Sequence, residues 1–170
     1  MNRIAEFHKV SFDRFLKDSL SNGLLSDETS ISTARQVWEK IQLPRRATTG
    51  SAGYDFYSPF SFCLQSGQSI NIPTGIRAEM EDGWYLMILP RSGLSFRYGT
   101  RLANTASVID ADYYFSDNEG HIFIKMSCSS NFSLLSGDRF AQGIFLPYGI
   151  TRNDDAVIVR NGGVGSTGMS

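Results

Sequence analysis

The spacing of short β-forming runs between residues 50 and 160 constrains this chain more than any other feature. Tyr54–Tyr57, Ser69–Ile72, Gly75–Met80, Trp84–Leu89, Ala106–Ile109, His121–Cys128, Gly143–Pro147 and Ala156–Arg160 are rich in branched and aromatic residues, and Gly, Asn, Asp and Ser fill the gaps. No convincing helical period interrupts them. Runs this short and this evenly spaced predict an all-β fold, a jelly-roll-like β-barrel or double sheet.

Ahead of that region the pattern changes. Arg3 to Val10 alternates weakly and suits a first strand. Ser11 is placed to cap a helix in which Phe12, Phe15, Leu16 and Leu20 share one face, and Asn22-Gly23 ends it. A second helix is expected from about Ser26-Asp27-Glu28-Thr29, carrying Ile31, Ala34, Trp38 and Ile41 until Pro44 stops it. Residues 11–42 therefore read as a short helical insertion. Its apolar faces belong against the body of the same domain, with a partner-docking surface as the alternative.

A chain of 170 residues suffices for one domain with a real core. That domain is expected to span 1–160, followed by a glycine-rich tail, 161–170, that has nothing with which to fold alone. The tail reads either as a frayed end or as a flap that closes over a ligand. A net charge of −1 gives no general attraction to nucleic acid or to acidic membranes. Cys63 and Cys128 form no disulfide framework, and neither joins a Cys/His cluster with zinc spacing. The N-terminus lacks a signal-peptide apolar run, and no stretch reaches the ~18 apolar residues of a membrane span. A cytoplasmic location is expected.

Four stretches carry chemistry. Asn104 to Tyr113 opens as a strand through Val108 and Ile109, then sets Asp110 and Asp112 at an expected hairpin turn. Such a tip is either an ordinary solvated turn or a place where backbone groups read a small planar molecule beside a working carboxylate. Pro90-Arg91-Ser92-Gly93-Leu94 follows an apolar strand; a guanidinium fork, a hydroxyl and a close-approach glycine suit a phosphate, although an ordinary turn also fits. Gly137 to Gln142 is a tight turn entering a strand, whose Asp138 and Arg139 have a structural reading as a pair. Arg160 with Gly162 to Gly168 offers a cation, two hydroxyls and free N–H groups to a phosphate chain, but lacks the lysine and helix of a P-loop.

Together these resemble the trimeric dUTPase family, whose five motifs occur here in order. They are Ser51-Ala-Gly-Tyr-Asp55 with its lead-in from Leu43, then Pro90 to Leu94, Val108 to Tyr113, Gly137 to Gln142 and Arg160 to Gly168, with Pro73-Thr-Gly-Ile76 between the first two. The resemblance covers about residues 41–170. It implies a homotrimer of jelly-roll subunits that hydrolyses dUTP to dUMP and pyrophosphate at interface sites, each covered by a C-terminal tail. Mg²⁺ is implied as held through the triphosphate and water, with no protein metal ligand.

The resemblance also implies residue roles. Asp110 orients and deprotonates the attacking water. Asn104, Ile109 and the hairpin backbone take the uracil, and Tyr113 lies against the deoxyribose. Arg91, Ser92 and Gly93 hold the phosphates and Gln142 assists at phosphate and water, while Arg160, Ser166 and Thr167 clamp the far phosphates; Val164 and Gly165 are further substrate-binding positions. Asp55 and Arg139 support the site.

Three departures stand out. Ser107 replaces a glycine, Tyr114 to Gly120 lengthens the chain after the third motif, and Val164 replaces the aromatic that stacks on the base, a change worth on the order of 1–3 kcal/mol. Deamination of dCTP, on the same fold, needs a Glu where this chain has Lys125. A regulatory partner-binding protein on this scaffold is the rival from another class.

Overall fold

The structure, a computed structural model, describes residues 2–26 and 28–157. Its strands are β1 Ala5–Lys9, β2 Arg45–Arg46, β3 Tyr54–Tyr57, β4 Phe62–Leu64, β5 Ser69–Pro73, β6 Ile76–Met80, β7 Trp84–Pro90, β8 Arg101–Leu102, β9 Ser107–Asp110, β10 Phe123–Ser127, β11 Phe132–Leu134 and β12 Arg139–Pro147. Its helices are α1 Phe12–Ser21, α2 Ile31–Glu39 and α3 Ser92–Tyr98, and a 3₁₀ helix spans Ala111–Phe115. The strands pair antiparallel: β2-β3-β12-β7-β9 form a five-stranded sheet, β5-β10-β8 a three-stranded one, and β1-β6 and β4-β11 two-stranded ribbons. This is a jelly-roll-like all-β arrangement.

Alternation along the strands builds the core. In β7, Leu86 and Ile88 are fully buried while Tyr85, Met87 and Leu89 are half-buried. They join Phe56, Ile72, Ile124 and Phe140 in one apolar cluster, each such side chain contributing roughly 1.5–3 kcal/mol on burial. In the middle of the large sheet, β12 pairs with β3 on one side and β7 on the other, with a register shift between Arg139 and Ala141. The extra residue leaves Phe140 and Ala141 buried in succession. Arg139 and Gln142, an odd step apart, thereby face the same way, which regular alternation forbids.

The helices form where hydroxyl caps start them. Ser11 Oγ accepts from the Arg14 N–H at 3.2 Å, and Ser30 Oγ from the Thr33 N–H at 3.2 Å. Phe12 and Phe15 are buried as expected, and Phe15 stacks on Phe60 with centroids 5.7 Å apart. The buried face turns away from the expected arc, however: Asp18 and Ser19 are buried, whereas Leu16 and Leu20 are only half-covered. A partner for Asp18, described below, is the reason. The second helix begins at Ile31, later than expected, and Ile31 is exposed. Lys9 Nζ donates to the carbonyls of Trp38 (3.0 Å) and Glu39 (2.8 Å), a cation on the last turn of α2. The Trp38 indole N–H donates to the Val10 carbonyl at 2.9 Å, so this helix is fastened to the end of β1.

Three expectations are corrected. A helix, α3, stands where no helical period was seen, directly after Arg91; it fully buries no residue, packing only Leu94 and Tyr98 partly against the core and leaving Phe96 92% exposed. The hairpin expected at Asp110 and Asp112 is absent among the described residues. There β9 pairs with β7, and the chain turns into the 3₁₀ helix instead of a return strand. Ala156 and Val157 lie outside any strand, and Ile158 to Arg160 lie beyond the described residues.

Candidate active site

Four of the five motif regions fall within the described residues, and they make two separate centres. The first lies where β3, β7 and β12 run side by side. Pairing sets Gln142 opposite Asp55 on one side and Leu89 on the other, and Arg91 follows the end of β7. Asp55 is buried, and its two carboxylate oxygens are shared out: Oδ1 takes Arg91 Nε and Oδ2 takes Arg139 NH1, each at 3.1 Å. Arg91 NH1 also donates to the Arg139 carbonyl at 3.4 Å. One carboxylate thus fixes two guanidiniums, leaving a net positive corner. Arg139 pairs with Asp55 and not with Asp138, whose carboxylate instead accepts from the Leu135 N–H at 2.9 Å.

A cavity of about 190 Å³ opens on this corner, lined by Ala47, Ser51, Gly53, Asp55, Arg91, Ser92, Arg139 and Gln142. A Cβ on Gly53 would stand 2.8 Å from Gln142 Oε1, so the glycine of the first motif lets that carboxamide lie against the loop. Around Gly93 no described atom lies within 4 Å of where a Cβ would be. Folding of the described chain therefore does not require the glycine.

The second centre is a cavity of about 530 Å³ that includes Asn104, Ser107, Ile109, Asn118, Phe123 and Lys125 in its lining. The residues lining it include amides, a hydroxyl and a cation but no carboxylate. The Asn104 carboxamide and the Ser107 hydroxyl bond each other, with Nδ2–Oγ at 2.9 Å and Oγ–Oδ1 at 3.1 Å. Asp110 ends β9 opposite Tyr85 and is half-buried; it lines neither cavity.

Tyr113 is 2% exposed. Its hydroxyl donates to the His121 carbonyl (2.8 Å) and accepts from Asn118 Nδ2 (2.7 Å). The chain's own residues cover the ring that was expected to lie against a sugar.

The arginine corner suits a polyanion, and the second cavity offers amide, hydroxyl and ammonium groups to a polar ligand. The dUTPase family model matches residues 39–168. This chain belongs to the dUTPase family.

The dUTPase assignment agrees with individual relatives. The chain is 38% identical over 133 residues to the deoxyuridine 5'-triphosphate nucleotidohydrolase of Lactococcus lactis, covering 75% of this chain and 89% of that protein. It is 37% identical over 145 residues to the enzyme of the same name from Dictyoglomus turgidum, covering 79% and 95%. The crystal structure of dUTPase from Streptococcus mutans superposes with a TM-score of 0.59 at 34% identity, covering 75% of this chain and 94% of that one. A dUTPase variant of phage phi11 of Staphylococcus aureus, described as coordinating a structural Mg(II) ion, shares the fold at TM-score 0.59 and 18% identity, covering 69% and 91%.

Of the residues named from sequence, Asp55, Arg91, Ser92, Arg139 and Gln142 line the first cavity and Asn104 and Ile109 the second, while Gly93, Asp110 and Tyr113 line neither. Arg160, Val164, Gly165, Ser166 and Thr167 lie outside the described residues. Sequence reasoning missed Asn118 and Lys125 as lining residues. Asn118 lies in the lengthened segment, where no motif pointed to it, and Lys125 was weighed only as the absence of a glutamate. None of the residues that make up this dUTPase site belongs to a cluster of three or more His, Cys, Asp or Glu able to hold a metal among the described residues.

Proposed function

We propose that the protein hydrolyses dUTP to dUMP and pyrophosphate, with Asp110 activating the water that attacks the α-phosphorus. The observation that carries this reading is the corner at Asp55. Two guanidiniums locked in place by one buried carboxylate present fixed donors to a phosphate chain at no further ordering cost. Ser92 and Gln142 line the same cavity and add neutral donors. At the other centre Asn104 offers both a donor and an acceptor, the complement of a pyrimidine edge carrying a carbonyl beside an N–H. Preference for the 2′-deoxy sugar passes from buried Tyr113 through Asn118, which bonds its hydroxyl and lines the cavity.

In this reading the active site is assembled from more than one copy. Asp110 lies opposite Tyr85, and Tyr85 to Arg91 is six residues of extended chain, about 20 Å at ~3.3 Å per residue. A carboxylate working at the α-phosphorus and an arginine holding the same triphosphate do not stand that far apart. Copies related by rotation bring Asp110 of one subunit to Arg91 of the next, and we take the assembly to be a homotrimer. The glycine-rich tail, 161–170, closes over a neighbour's site and brings Arg160, Ser166 and Thr167 to the phosphates.

The residues at the corner suit a triphosphate and not a bare cation, because both oxygens of Asp55 are already engaged. Mg²⁺ would accordingly come with the nucleotide's phosphates and not on the Asp55 carboxylate. When bound it screens the charge that builds on the departing pyrophosphate. Asp110 holds the water and accepts its proton; Arg91 and Arg139 hold the phosphate chain in line.

No described helix is long and apolar enough to cross a membrane. Cys63 and Cys128 are both free thiols, which together with a nucleotide substrate suits the cytoplasm.

A nucleotide panel scored for pyrophosphate release tests the assignment. Release from dUTP above all other nucleotides, reduced at least ~10³-fold by Asp110→Asn, is expected. A variant as active as the wild type removes Asp110 from the chemistry.

A further inference from the structure

Helix α1 and the start of α2 precede residues 39–168, the stretch the family model matches, and the segment from Tyr114 to Gly120 lies within it. Helix α1 and this segment are built against each other. One side of α1 and its cap presents Ser11, Arg14 and Asp18, spaced to share a face. Ser11 donates to the Glu119 carboxylate twice, from its N–H at 2.8 Å and from its hydroxyl at 2.6 Å. Arg14 NH2 donates to the Asp117 carbonyl at 2.9 Å, and Asp18 Oδ2 lies 2.6 Å from His121 Nδ1.

The segment held in this way is tightly wound. Glu119 has φ +59°, a backbone setting unusual for a non-glycine residue, which persists where surrounding contacts impose it. Gly120, φ +67°, folds so close that a Cβ would lie 2.7 Å from Tyr114 Cα and 2.8 Å from the Tyr113 carbonyl oxygen. The His121 ring is fully buried and its tautomer is set by its neighbours. The Gly75 N–H donates to Nε2 at 2.8 Å, so the proton sits on Nδ1 and points at Asp18.

From this segment the bonds run on to the base cavity. The His121 carbonyl and the Asn118 carboxamide both hold the Tyr113 hydroxyl, and Asn118 Oδ1 accepts from Ser116 Oγ (2.7 Å) and from the Gly120 N–H (3.2 Å). Asn118 is thus fixed at both ends of its amide where it lines the cavity beside Asn104.

We propose that the helical insertion is a positioning element of the substrate site: through Ser11, Arg14 and Asp18, α1 holds residues 114–121 so that Tyr113 and Asn118 are set at the base-and-sugar end. This rests on the dUTP reading above. Asp18 touches no substrate and acts through His121.

The test uses the full chain and compares wild type with Asp18→Ala, Asp18→Asn, Glu119→Gln and, on the open side of the helix, Lys17→Ala. Steady-state kinetics on dUTP and UTP are run beside hydrogen exchange of the 111–121 amides. Asp18→Ala is expected to raise KM for dUTP about tenfold with kcat within about twofold, and to narrow the dUTP-over-UTP preference about tenfold. Asp18→Asn keeps an oxygen for the His121 Nδ1–H and recovers most of both. Exchange speeds up across 113–121 in Asp18→Ala, and Lys17→Ala matches wild type. A lowered melting temperature with KM and preference unchanged makes α1 merely structural and overturns the proposal. Should Asp18→Ala not fold, Glu119→Gln decides: raised KM with faster exchange supports the proposal, and wild-type values for both overturn it. Wild type that releases no pyrophosphate from dUTP instead sinks the functional reading, a result separate from the exchange data.

Discussion

At the scale of single residues, Ser107, read from sequence as standing in place of a glycine, is bonded to Asn104. With a glycine there, the Asn104 carboxamide has no hydroxyl beside it. With serine, both ends of that carboxamide are bonded within the chain, at 2.9 and 3.1 Å. On the proposed reading, a pyrimidine displaces the hydroxyl before Asn104 reads its edge. The net value of one such neutral hydrogen bond is about 0.5–1.5 kcal/mol, a factor of roughly 2 to 10 in binding. Ser107→Gly is therefore expected to lower KM for dUTP by that factor with kcat little changed, measured by steady-state pyrophosphate release. An unchanged KM would mean that the bond to Asn104 does not compete with substrate, and a raised one that the hydroxyl itself contributes to the site. Sequence alone flagged the substitution, but only the bond to Asn104 gives its direction.

At the scale of elements, α1 shows what periodicity can and cannot reveal. Its cap at Ser11 and its buried Phe12 and Phe15 were legible, because apolar spacing and a capping hydroxyl are local signals. The burial of Asp18 was not, since its partner is 103 positions away at His121. Helix α3 was missed for the opposite reason: in seven residues only Leu94 and Tyr98 meet the core, a single i,i+4 pair too short to register as a period.

The Asp18–His121 link makes a pH prediction. Burial pushes the His121 pKa below its usual 6.5, outweighing the hydrogen bond and charge of Asp18, which pull it up. The unfolded chain therefore takes a proton on this histidine near pH 6.5 while the folded chain does not. Between 6.5 and the lower folded value the unfolded state binds more protons, so this contribution to stability is complete above 6.5 and lost as pH falls. The slope approaches about 1.4 kcal/mol per pH unit at most. Urea unfolding between pH 7.5 and about 5, above the range where carboxylates dominate, should show this acid loss in wild type and a flatter profile in His121→Gln. Equal slopes in the two proteins would remove His121 as the titrating group.

At the scale of the whole molecule, the first, second and fourth motifs named the residues that meet at the arginine corner, Asp55, Arg91, Ser92, Arg139 and Gln142. What order along the chain could not supply was distance. Along strand β7, Asp110 lies opposite Tyr85 and Arg91 follows Pro90, so in a single subunit the two are separated by the length of the strand. Subunit mixing tests whether copies complete one another. Asp110→Asn retains an intact arginine corner, and Arg91→Ala retains an intact carboxylate, so each alone is inactive. Unfolded together in equal amounts and refolded, they assemble sites in which Arg91 comes from one variant and Asp110 from the other; random assortment gives about a quarter of all sites this pairing. Pyrophosphate release from dUTP should recover to about a quarter of the wild-type rate, while either variant refolded alone stays inactive. If both functions came from one chain, every site in the mixture would carry one defect. Mixing would then restore nothing, and the composite site would have to be abandoned.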